Sequence, residues 1–97
     1  MTEPHINHSP EVIETMFTRD LMPALDARGL SIEHVWDTVQ STGEGLRFSA
    51  PATEDLLAVR INATKRELNF SVNGEGPFRI AASAIERVIE ARKDLNK

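Results

Sequence analysis

Leu57-Ala58-Val59-Arg60-Ile61-Asn62, then Leu68-Asn69-Phe70-Ser71-Val72-Asn73-Gly74-Glu75-Gly76-Pro77-Phe78-Arg79-Ile80, is the stretch that decides the fold. Apolar and polar residues alternate in each run. Successive strand side chains point to opposite faces, so each run reads as a strand with one apolar face. Asn73-Gly74-Glu75-Gly76 predicts a hairpin, because tight hairpin turns need positive φ and Asn and Gly adopt it readily. Upstream, Leu46-Arg47-Phe48-Ser49 shows the same alternation. The links are short, and short links join antiparallel neighbours, so four strands in a meander are expected.

Working outward, the period changes. Ser9-Pro10 is a helix start: serine caps well, and proline at the first helical position gives up an N–H that has no partner anyway. Val12, Ile13, Met16, Phe17, Leu21 and Leu25 recur at helical spacing up to Arg28-Gly29, a basic last turn followed by a glycine stop. Pro23 must kink or split this helix around residues 19–22, since it lacks an N–H and crowds the carbonyl four residues back. A second helix is expected from about Ser31 to Ser41, with Ile32, Val35, Trp36 and Val39 as its apolar stripe and Trp36 as its anchor. Ser83-Ala84-Ile85-Glu86 has the capping-box pattern of a last helix running to about Leu95.

The expected order is therefore α-α-β-β-β-β-α. This is an α+β two-layer sandwich, an antiparallel meander sheet covered on one face by helices. Residues 1–8 read as a flexible N-terminal tail, and 9–97 as a single α+β domain.

Composition narrows the function. The 97 residues include no cysteine, which excludes disulfide frameworks, cysteine-ligated zinc and thiol catalysis, and fits a cytoplasmic setting. Met1-Thr2-Glu3-Pro4-His5 lacks the basic and apolar stretches of a signal peptide, and no apolar run is long enough to enter a membrane as a span. The net charge of −4 is unevenly placed: residues 1–45 carry −6 and residues 46–97 carry +2. An acidic chain argues against bulk nucleic-acid binding.

Candidate chemistry is sparse. His5 and His8 with Glu3 sit in the expected tail, too few and too loose for a metal site, so no metal is expected. His34 projects away from the stripe of its helix. Ser9, Ser31 and Ser83 are accounted for as caps. The glycine pairs 43/45 and 74/76 lack a phosphate-loop context, so no cofactor is expected. Asp20 projects between Met16 and Phe17, inside an apolar stripe. Either an arginine partners it or, as the proline geometry favours, Pro23 turns it to water.

Arg47, Arg60 and Arg79 form the best constellation. If the strand apolar residues face the helices, all three arginines fall on the opposite sheet face, with Ser49, Asn69 and Ser71. Sheets that read RNA present aromatics for stacking, whereas Phe48, Phe70 and Phe78 fall on the inward face. The chain is thus expected to be a small non-enzymatic protein-interaction module: a regulator, inhibitor or accessory factor with a protein partner. A nucleic-acid-binding regulator using the sheet arginines with Lys65-Arg66 is the first alternative. A ligand binder or enzyme with a pocket between helices and sheet is the second. The first helix projects an apolar arc of roughly 220°, wider than one core needs. On that ground, and because the edge strand Leu46-Arg47-Phe48-Ser49 has no proline block before Pro51 while Pro77 guards the other edge, a homodimer is expected, with Phe17, Leu21 and Met22 at its interface.

Overall fold

The computed structural model describes residues 9–95. The expected tail at 1–8, with His5, His8 and Glu3, lies outside them. Helices α1 (Pro10–Met16) and α2 (Met22–Asp26) are joined by a π-helical turn, Phe17–Leu21. Then come α3 (Ile32–Thr42), β1 (Leu46–Ala50), β2 (Val59–Ala63), β3 (Glu67–Val72), β4 (Glu75–Ala81) and α4 (Ala82–Leu95). The strands form one antiparallel sheet in the order β1-β2-β3-β4. The fold is the expected α+β meander with helices at both ends.

Local signals explain most element ends. The Ser9 side chain accepts the Val12 N–H at 3.2 Å, with Pro10 opening α1. Ser31 accepts the His34 N–H at 3.1 Å and caps α3. After α2, Gly29 takes φ 79° and the Leu30 N–H reaches back to the Leu25 carbonyl at 2.9 Å. That is the glycine-dependent helix stop known as a Schellman motif. Asn73 and Gly74 both have positive φ and form the two-residue loop between the paired Val72 and Glu75.

Pro23 acts as expected on the chain but in a specific form. An ordinary helical bond from residue 23 is impossible, and the backbone widens just before it: the Met22 N–H donates to the Phe17 carbonyl, five residues back. A wide turn inserts one extra residue and moves the helix phase by about 100°. A single straight projection therefore overstates the apolar arc. Phe17 and Leu21 are fully buried and Met22 is 3% exposed. They belong to this chain's own core, so the expectation that they form a dimer surface is overturned. Phe17 packs on Phe70 of β3, ring centroids 5.6 Å apart. Val12, one turn before the phase shift, points outward instead.

Three further expectations need correction. Leu57 lies before β2 rather than in it and is exposed. Ser83 is inside α4, not at its cap, because β4 runs directly into the helix at Ala82. Asp20 is not turned fully to water: Arg19 holds both its oxygens, at 3.0 and 3.1 Å. That pair raises the Arg19 guanidinium pKa above its ordinary value, through the hydrogen bond first and the charge second.

The core lies between sheet and helices. Val59, Ile61, Ala63, Leu68, Phe70, Val72 and Ile80 face Leu25, Ile32, Val35, Trp36, Val39, Ile85 and Val88. The main helix contacts fall on β2, β3 and β4. Leu46, Phe48 and Ala50 of β1 share the inward face yet stay half-buried. Among the described residues, no helix is long and apolar enough to cross a membrane.

Candidate interaction face

Strand alternation places the other face of the sheet. Register sets Arg47 opposite Asn62, Asn62 opposite Asn69, and Asn69 opposite Arg79, giving one polar row across all four strands. The next row runs Ser49, Arg60, Ser71. At about 4.8 Å per strand, Arg47 and Arg79 stand roughly 14 Å apart across the row. Arg47, Arg60 and Arg79 are all exposed. The expected constellation therefore does come together on the helix-free face.

Its electrostatics are uneven. Arg79 lies 3.8 Å from Glu67, a long contact between an exposed guanidinium and a half-buried carboxylate, and the Asn69 amide touches the same carboxylate at 3.5 Å. Arg47 and Arg60 have no ion pair among the described residues. Glu67 is the one acid at an outward position within β1, β2 and β3. Lys65 and Arg66, exposed in the turn between β2 and β3, extend the basic zone at the end of the sheet nearest the Arg47–Arg79 row. The sequence groups them with the sheet arginines, and the meander register brings them beside the Arg47–Arg79 row.

The helical side contrasts with this. Arg87 meets Glu14 at 2.6 Å, tying α4 to α1. Arg92 meets Asp26 at 2.9 Å and Glu33 at 2.8 Å, clasping α2, α3 and α4. The hydrogen bond to Asp26 is the main reason the Arg92 guanidinium pKa is raised, against a smaller opposing effect of burial. Arg28 donates to the carbonyls of Ala24, Pro51 and Leu57, at 3.1, 2.9 and 2.9 Å. It thereby pins the 51–58 loop to the end of α2. Only its position in a last helical turn was visible in the sequence.

The surface carries several open depressions. Three shallow depressions of about 580, 340 and 240 Å³ adjoin one another on the open sheet face, and Arg60 borders all three. Two grooves lie on the helical side, one between α1–α2 and α4 and one between α3 and α4. The core side chains above lie between helices and sheet. No cluster of three or more metal-ligating side chains occurs among the described residues. All three strand phenylalanines are on the inward side, Phe70 and Phe78 with centroids 5.6 Å apart. Comparison of the chain with protein-family models, curated proteins and solved structures finds no match in any of the three.

Proposed function

We propose that this chain is a non-catalytic interaction module that binds an acidic segment of a partner protein on the helix-free face of its sheet. The observation that carries the reading is the pair Arg47 and Arg60: exposed, without ion pairs among the described residues, and set in rows of asparagine and serine on a chain whose net charge is −4. Acids elsewhere neutralise Arg19, Arg87 and Arg92. The sheet arginines keep their charge and their planar donors for a carboxylate. Asn62, Asn69, Ser49 and Ser71 add hydrogen-bonding groups that accept an extended chain without demanding one sequence. The absence of outward aromatics favours protein over single-stranded nucleic acid.

The test is fluorescence anisotropy with labelled glutamate-rich, lysine-rich and single-stranded RNA probes at several salt concentrations. Binding of the glutamate-rich peptide alone is expected. It should weaken with salt and be lost in the Arg47→Glu, Arg60→Glu double variant. Single Arg→Ala changes should leave stability within about 0.5 kcal/mol. Equal binding by the charge-reversed variant overturns the assignment of the face, and RNA binding with a steep salt slope overturns the choice of partner.

A further inference from the structure

The two edges of the sheet are protected very differently. At β4, Gly76 and Pro77 stand against the single residue Ser71, a bulge that breaks the ladder, and Pro77 has no N–H to offer. Strand β1 has neither device. Its five residues pair with β2 in unbroken register, Leu46 with Ala63 through Ala50 with Val59. No other backbone hydrogen bond reaches residues 46–50 among the described residues. The strand carries no proline or lysine, and its inward Leu46, Phe48 and Ala50 are incompletely covered by the helices. A regular, half-covered edge of this kind is a template for another strand.

We infer that the occupant is a second copy of the chain, paired β1 to β1 antiparallel about a twofold axis at Phe48. The sequence Leu46-Arg47-Phe48-Ser49-Ala50 is self-complementary in that register. Phe48 meets Phe48 of the other copy, Leu46 meets Ala50, and Arg47 meets Ser49. Opposed residues share a face, so both helical layers lie on one side and the half-buried apolar residues cover each other. Competing registers are worse. Centring on Arg47 sets two arginines directly opposite one another, a destabilising pair. Centring on Ser49 sets Arg47 against Pro51, which cannot donate to the ladder. A one-residue slip places Phe48 against a polar partner and turns the second helical layer to the other side. The product is a closed symmetric dimer with one eight-stranded sheet, and the contact is isologous. This inference is independent of the acidic-partner reading, because its readout is mass alone.

Sedimentation velocity of the full chain, from roughly 1 to 500 µM, tests it. The mass is expected to rise from 10.8 kDa toward twice that value with concentration. Ser49→Lys puts a like charge opposite Arg47 twice per dimer and should weaken association roughly five- to thirty-fold. Adding Arg47→Glu to Ser49→Lys restores an attractive pair and should recover it. Ser71→Lys is the control: Ser71 also neighbours Arg60, but on an interior strand, so association should be unchanged. A 10.8 kDa monomer at every concentration overturns the inference. So does a dimer indifferent to Ser49→Lys, or one weakened equally by Ser71→Lys.

Discussion

Replacing Trp36 separates two effects that usually travel together, packing and polar satisfaction. The side chain is 5% exposed, on the buried stripe of α3 with Ile32, Val35 and Val39. Its Nε1 is buried and has no hydrogen-bond partner among the described residues. Truncating a buried aromatic to alanine costs about 3–5 kcal/mol. A buried N–H left unsatisfied costs about 1–3 kcal/mol, and that penalty disappears with the indole. Trp36→Ala should therefore destabilise by about 2 kcal/mol. Trp36→Phe keeps most of the ring and removes the N–H. Its lost volume, about 40 Å³ at about 24 cal/mol per Å³, costs ~1 kcal/mol, which the relieved penalty offsets. The phenylalanine variant should lie within about 1 kcal/mol of wild type. Trp36 is the single tryptophan of a chain with no tyrosine, so its fluorescence reports docking of α3 in the wild type only. Stabilities must be compared by urea unfolding followed by far-UV circular dichroism. A Trp36→Phe cost above about 2 kcal/mol refutes the unsatisfied N–H. An unchanged melting temperature for Trp36→Ala refutes the anchor itself.

Gly76 has φ 117°, and a Cβ there would lie 2.8 Å from the Phe70 carbonyl oxygen. Gly76→Ala is expected to cost about 2–3 kcal/mol, against about 1 kcal/mol for Gly74→Ala, which also has positive φ but opens onto free space. Thermal melts of the two variants make the comparison. Arg92→Met should cost about 1–2 kcal/mol, because it removes the clasp on Asp26 and Glu33 while keeping the aliphatic stem. The Arg92 pKa is raised in the fold, so its contribution is complete below the unfolded value and is lost only as pH rises through the folded one. The gap between wild type and Arg92→Met should accordingly stay constant from about pH 7 to about pH 10, a range checked by melting both proteins across it.

What the sequence makes legible here is what depends on near neighbours. Alternation in 59–63 and 67–72 carries face assignment by itself, since a slip of one residue would expose Ile61 and Phe70 and bury Arg60 and Asn69. The caps at Ser9 and Ser31 are three-residue affairs and are equally plain. Ser83 fails because its S-x-x-E pattern is satisfied in spacing but not in context: the chain enters α4 straight from a paired strand, and the Ala82 N–H is taken by the Arg66 carbonyl at 3.0 Å. The π turn fails more instructively. Pro23 announces a distortion, yet whether the backbone breaks, bends or inserts a residue depends on where Phe17 can reach Phe70, some fifty residues away in sequence. That one choice decides whether Phe17, Leu21 and Met22 face water or the core.

The same distinction between local and distant partners governs the arginines. Arg28 acts across 23 and 29 residues, Arg92 across 59 and 66, and Arg87 across 73, so nothing in their own neighbourhoods reveals those roles. Arg87 and Arg92 draw on the acids of residues 1–45, whereas Arg28 reaches only backbone carbonyls. Arg47 and Arg60 sit on the far side of a sheet whose outward positions offer little acid within reach. Folding thus sorts one residue type into two populations. Arg87 and Arg92 on the helices are neutralised and bind the layers together, whereas Arg47 and Arg60 on the sheet have no ion pair among the described residues. An exposed sheet face that kept only asparagine and serine would be about as stable, since unpaired surface charges contribute almost nothing to folding. Reversing the charge at Arg47 and Arg60 should accordingly leave the melting temperature nearly unchanged, and loss of glutamate-rich peptide binding in that variant tests the proposed role of the face.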